Sequence, residues 1–212
     1  MRTVIVDYDS GNLHSAQKAF ERMANEANAG QVVVTSDPAV VLKADRVVLP
    51  GDGAYPACHA ALHDHKGIFE AIQEVVVSKA RPFMGICIGM QMLATRGLEY
   101  TETPGFDWIK GEVRKITPSD PALRVPHMGW NALNIEHPHP VFDGIEQGKH
   151  CYFVHSYHFV ADTPQERLAS TDHGGPITAV VGRDNMIGVQ FHPEKSQATG
   201  LRMISNFLNW AP

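Results

Sequence analysis

The 212 residues carry 23 acidic and 18 basic side chains, a formal net charge of −5, with 43% hydrophobic residues. That length supports one sizeable core and falls short of two, so a single domain over residues 1–212 is expected. The mild acidity, with no block of Lys or Arg able to track a phosphate backbone, argues against nucleic acid as a partner.

In chain order, Thr3 to Asp7 is a β-branched apolar run, and Tyr8 to Asn12 has turn chemistry ahead of a helix. The N-terminal run is too short for a signal-peptide core, is interrupted by Asp7, and no run elsewhere approaches membrane-spanning length; a cytoplasmic protein is expected. Leu13, Ala16, Phe20, Met23 and Ala27 recur at helical spacing. Gln31 to Thr35 is the next strand, Asp37-Pro38 opens a short helical segment, and Arg46 to Leu49 is a third strand. Near-continuous apolar strands alternating with amphipathic helices imply an α/β fold with a mostly parallel sheet covered on both faces. Pro50 to Tyr55 (PGDGAY) is a Gly-rich loop at the C-terminal end of the third strand, where such sheets place ligands. Two helices are expected around Ala54 to Leu62 and Ile68 to Lys79. From Gly111 to Phe159 the segments are short, β-rich and turn-punctuated, as in GEVRKI, WNALNIE and CYFVHSYHF, implying an added β-rich layer or edge strands. Ile177 to Val181 and Ile187 to Phe191 are strands, and Leu201 to Trp210 is an amphipathic helix.

The chemistry concentrates in Pro82 to Leu93, PFMGICIGMQML. It reads as an apolar strand, a Gly-x-Cys-x-Gly turn and the first turns of a helix, so Cys87 is lifted off the sheet edge as a nucleophile with a helix N-terminus behind it. A cysteine nucleophile needs a base, and the base needs an orienting acceptor. His192 and Glu194 of HPE, just after the strand MIGVQF, fit those two roles. Acyl transfer also needs donors for an oxyanion, and the candidates are the N–H of Ile88 and a peptide N–H in the Gly51-Asp52-Gly53 loop, the flanking glycines allowing that peptide to rotate. Cys58 and Cys151 are expected to be packing residues; three cysteines are an odd number, which argues against a disulfide framework. His63 with His65, and His137 with His139, lack a matching Cys or carboxylate constellation, so no dedicated metal site is expected.

With VDYDSGNL, LPGDGAY, GICIGMQML, PHMGWN, YFVHSY and VQFHPEKS in that order, essentially the whole chain resembles the class I (triad) glutamine amidotransferases. The resemblance implies a flavodoxin-like α/β sandwich, with Cys87 as nucleophile, His192 as general base and Glu194 as its orienter. It puts Gly53, Gln91, Glu99, Ser156 and Tyr157 around the α-amino and α-carboxylate groups of glutamine. It implies no cofactor. The implied partner is a (β/α)8-barrel cyclase subunit, docked as a heterodimer, which receives the ammonia; PHMGWN and YFVHSY point to histidine biosynthesis as the pathway served. Trp130, a large aromatic in a turn-rich stretch, is a candidate anchor of that interface; by resemblance Asn12, Tyr152 and Lys195 share the face. Asp52 stands where familiar members have valine and is expected to point outward, since a carboxylate beside a developing oxyanion opposes catalysis. Asp9, where many members have glycine, affects only a turn near the partner face. The competing possibilities are an amidotransferase serving another pathway and a non-catalytic binding module on the same sandwich.

Overall fold

In the computed structural model, which describes residues 1–212, the chain begins with β1 (Arg2–Val6), α1 (Leu13–Glu26), β2 (Gln31–Thr35), the one-turn α2 (Pro38–Val41) and β3 (Arg46–Gly51). There follow α3 (Tyr55–Asp64), α4 (Ile68–Gln73, continued by a π-helical turn over Glu74–Ser78), β4 (Phe83–Cys87) and α5 (Ile88–Gln91). The later strands are β5 (Arg96–Gly97), β6 (Thr103–Pro104), β7 (Gly111–Lys115), β8 (His127–Ala132), β9 (Asn134–Ile135), β10 (His150–His155), β11 (Tyr157–Ala161), β12 (Arg167–Asp172), β13 (Pro176–Arg183) and β14 (Met186–Val189), followed by α6 (Gln197–Asn209).

Eight strands form the main sheet in the order β2-β1-β3-β4-β14-β13-β12-β9. The first five run parallel, and the rest continue antiparallel. Every residue of β3 and β4 is buried, as befits central parallel strands with both faces covered. The chain leaves β1 toward β2 and then crosses back to β3. Right-handed crossovers therefore put α1 on one face and α2 to α4 on the other. On its face α1 packs against α6, with Phe20 and Phe207 edge to face at 6.3 Å. The reversal between β1 and β3 opens a crevice at the carboxyl ends of the strands. The segments leaving β1, β3, β4 and β14 all emerge at that edge.

The β-rich remainder forms a four-stranded sheet, β11-β7-β5-β6, and a two-stranded ribbon, β10-β8. Strand β12 has no counterpart among the expected elements, because RLASTD carries small polar residues and no apolar run; Ser170 and Thr171 are nevertheless buried. The helix after Cys87 is a single turn. The carbonyls of Met92, Leu93 and Ala94 are taken by the amides of Phe106, Trp108, Ile109 and Asp107, so the helix is not propagated. Helix α6 starts four residues earlier than its apolar spacing indicates, at Gln197. No helix is long and apolar enough to cross a membrane.

Candidate active site

Cys87 ends β4 with φ 55° and ψ −110°, a backbone conformation that L residues rarely adopt. It is held there by pairing on both sides: Gly51 lies opposite Cys87, and Val189 opposite Ile86. The two glycines of GICIG contribute space and not a positive φ. A Cβ on Gly89 would collide with the Leu49 carbonyl oxygen, and one on Gly85 with that of Gly89, so both allow the α5 turn to lie directly on the strands. The strain falls on the cysteine itself. Because α5 is only one turn long, its dipole is a minor influence on the sulfur.

Two side chains reach that sulfur from the segment after β14. Gln190 Nε2 lies 3.7 Å from Sγ, and the His192 ring lies beside Cys87. The His192 Nδ1 is 2.9 Å from Glu194 Oε1, which leaves Nε2 for the sulfur. Burial alone would lower the His192 pKa, but the neighbouring Cys87 and Glu194 outweigh it and push it up to about 10. His192 is thus held as an imidazolium between a sulfur and a carboxylate. The Glu194 Oε2 is buried without a partner.

The loop after β3 is held by Ser10. The Asp52 N–H donates to Ser10 Oγ at 3.2 Å, while the Asp52 carbonyl accepts from Ser10 Oγ at 3.0 Å and from Cys58 Sγ at 3.2 Å. Cys58 is therefore more than packing, although burial pushes its thiol pKa up. Gly53 has φ 100° and its N–H has no hydrogen bond within the chain. Gly51, by contrast, is a strand residue whose Cβ would meet Ile88 Cβ and Tyr8 Oη at 2.8 Å. Conformational freedom in this loop belongs to Gly53 alone. The Asp52 residue is exposed. The Ile88 N–H, first in α5, has no intrahelical acceptor.

A cavity of about 260 Å³ opens beside the sulfur, lined by Asp52, Gly53, Cys87, Ile88, Gln91, Glu99, Ser156 and Tyr157 and also by His155. Gln91, 1% exposed, donates from Nε2 to the Tyr157 carbonyl at 3.1 Å and to Gln190 Oε1 at 2.9 Å. Its Oε1 is left unpaired. Glu99 Oε2 accepts from the Tyr55 N–H at 2.7 Å, capping α3 from a distant segment. The arrangement offers two acceptors for a cation and a nucleophile with its own acid and base. Gln190 and His155 were not singled out from the sequence; the available signal was a polar residue inside an otherwise apolar strand.

Trp130 is 47% exposed and meets Tyr152 edge to face at 5.9 Å, so it is not a core residue. Lys195 is exposed, and the Tyr152 carbonyl accepts from the His192 N–H at 3.1 Å. Asn12 caps α1 through Ser15 N–H at 3.3 Å, and α1 packs on the Pro193–Lys195 turn. Of the histidines weighed as metal ligands, His63 stacks on His59 and His65 pairs with Asp9. No group of three or more His, Cys, Asp or Glu side chains is arranged to hold a metal ion.

The family described as "Glutamine amidotransferase class-I" matches residues 4–210. Two relatives are similar over their full length and that of this chain: the "Imidazole glycerol phosphate synthase subunit HisH" of Cereibacter sphaeroides at 67% identity, and that of Ruegeria pomeroyi at 66%. Among solved structures, one titled "Crystal structure of glutamine amidotransferase" superposes with a TM-score of 0.72 at 17% identity, covering 98% of this chain and 99% of its own. The glutaminase domain of Trypanosoma brucei CTPS, solved with bound acivicin, gives 0.64 at 16% identity, covering 100% and 95%. At these identities the two structures speak for the fold.

Proposed function

This chain belongs to the class I glutamine amidotransferases, in the branch of the HisH subunits of imidazole glycerol phosphate synthase, and from that premise we propose how its residues carry the reaction. It is a glutaminase of histidine biosynthesis, and as a synthase subunit it works with a cyclase subunit. Glutamine enters the cavity with its carboxamide at Cys87. Glu99 and the free oxygen of Gln91 take the α-ammonium, and the Gly53, Ser156 and Tyr157 backbone surrounds the α-carboxylate.

The Cys87 sulfur attacks the carboxamide carbon, and the tetrahedral oxyanion is met by the Ile88 N–H and a peptide N–H of the Asp52-Gly53 loop. His192, held as imidazolium by Glu194, gives its proton to the leaving nitrogen as the C–N bond breaks, releasing ammonia and leaving a glutamyl thioester. Water then attacks the thioester, His192 takes its proton, and glutamate leaves with the sulfur restored. The sum is glutamine plus water to glutamate plus ammonia. Ammonia passes to the partner, the (β/α)8-barrel cyclase HisF, which uses it to convert PRFAR to imidazole glycerol phosphate and AICAR. The two chains work as a cytoplasmic heterodimer, with the present chain as a single glutaminase domain that needs no cofactor. Asn12, Trp130, Tyr152 and Lys195 form part of the docking face.

One observation supports these roles above the rest: a sulfur beside an imidazole that is itself hydrogen-bonded to a carboxylate, at the carboxyl edge of a parallel sheet and next to a cavity with unpaired acceptors. The test is glutamate release from glutamine by the chain mixed with the cyclase, together with complementation of a histidine-requiring strain lacking this subunit. Release and growth are expected. Release without complementation would move the ammonia to another pathway; no release at all would leave a binding module.

A further inference from the structure

PHMGWN and YFVHSY pair as β8 and β10, with His127 directly opposite His155. Neither histidine has a part in the acyl transfer above, yet both are buried, at 4% and 7% exposure. Their hydrogen bonds run in one direction. The Asn131 Oδ1 accepts from the Ala132 N–H at 2.8 Å, which fixes the amide so that Nδ2 donates to the Asp172 carbonyl at 2.7 Å and to His127 Nε2 at 3.1 Å. An Nε2 that accepts leaves the proton on Nδ1, and His127 Nδ1 donates to His155 Nε2 at 3.0 Å. His155 is thereby also protonated on Nδ1, which donates to the Tyr157 carbonyl at 2.8 Å. Burial keeps both rings neutral, with pKa values lowered to about 4 for His127 and about 3 for His155. The same carbonyl receives Gln91 Nε2, whose second hydrogen goes to Gln190 beside Cys87.

We propose that His127 and His155 are positioning residues for glutamine: their one-way chain fixes the Tyr157 carbonyl, and that carbonyl holds the Gln91 amide with its oxygen, and not its NH2, toward the substrate ammonium. The proposal rests on the assignment of the cavity as the glutamine site. A Gln91 amide free to turn over would present donors to a cation, so the chain protects the polarity of the grip.

The test is glutaminase kinetics of variants in complex with the cyclase subunit. His127→Phe keeps the ring contacts with Phe153 and His173 but cannot donate or accept. It is expected to raise the glutamine KM about tenfold, the order of one hydrogen bond to a charged group, with kcat nearly unchanged because the grip acts equally in ground and transition states. His127→Gln, whose amide can both donate and accept, is expected to restore KM. A wild-type KM in His127→Phe, or a loss confined to kcat, overturns the proposal. Should His127→Phe fail to fold, Asn131→Ala at the half-exposed end decides: a raised KM supports the chain and an unchanged one refutes it. Independently, the side-chain ¹⁵N spectrum should contain two neutral Nδ1-protonated rings that vanish selectively in His127→Gln and His155→Gln; Nε2-protonated rings there would refute it. A wild-type complex that releases no glutamate would instead sink the assignment of the cavity.

Discussion

In the proposed reaction Cys87, His192 and Glu194 divide one task by environment, and the first two can be interrogated singly. Cys87→Ala should abolish glutamine hydrolysis while leaving the fold, partner binding and ammonia-driven synthesis by the complex intact. An electrophilic glutamine analogue should modify Cys87 and spare Cys58 and Cys151, whose thiols burial keeps protonated, the latter with a pKa of about 12; peptide mapping with equal labelling of all three would contradict an activated site. The raised pKa of His192 also ties stability to pH. Its contribution is complete below the unfolded value of about 6.5 and is lost as pH rises through about 10. Cys87→Ala, by removing one of the two groups that raise it, should flatten that decline in denaturant titrations between those values. His127, His155 and His158, all lowered by burial, act with the opposite sign: their contribution is present above about 6.5 and lost as pH falls toward about 4 and 3. That Cys87 and the HPE tripeptide would meet was readable from local strings, since a strand-turn nucleophile and a base with its orienter leave short signatures. Gln190 and the histidine pair left only a polar residue within an apolar stretch, which names no role because their partners lie far away in sequence.

Among the elements, the loop between β3 and α3 is where the sequence was half legible. The Gly-rich stretch announces mobility, yet Gly51 is locked in β3 and only Gly53 occupies the region that favours glycine. In the orientation described, the Asp52 N–H is engaged by Ser10, and Ser10 and Cys58 also hold the Asp52 carbonyl, which fixes the peptide that carries the free Gly53 N–H. An oxyanion donor withheld in this way typically costs about 10²- to 10³-fold in turnover. The isolated chain should therefore be a slow glutaminase, and docking to the cyclase with its substrate bound should raise kcat at least about tenfold with a smaller change in KM. Ser10→Ala, which frees the peptide, should raise the basal kcat of the isolated chain severalfold and narrow the response to the partner. Equal turnover by the free chain and the liganded complex would mean that the loop is a preformed oxyanion hole. Length was the other misjudged property: α5 stops after one turn because the 105–109 segment takes the carbonyls of the residues that follow it, a competition invisible in the apolar spacing of GMQML.

For the molecule as a whole, the strand and helix alternation through Cys87 was legible because buried parallel strands are continuously apolar. The antiparallel extension was harder, since β12 is built from Ser, Thr and Ala packed between neighbours. The face carrying Trp130, Tyr152 and Lys195 was read from an aromatic in a turn and from resemblance, and its exposure makes it testable. Lys195→Ala should raise the Kd for the cyclase about tenfold, roughly 1.4 kcal/mol, with a melting temperature close to wild type, since the side chain is exposed. A large loss of thermal stability with unchanged binding would identify Lys195 as structural.

The left-handed backbone at Cys87 gives the protein an evolutionary tether. At φ 55° any side chain is strained, and glycine alone escapes. Cys87→Gly should be more stable than Cys87→Ala by about 1 kcal/mol, although both lack the sulfur. Drift at this codon is thus rewarded thermodynamically in one direction only, away from the thiol. A lineage released from the need for ammonia would be expected to settle on glycine there, keeping the sandwich as a sturdier, silent descendant.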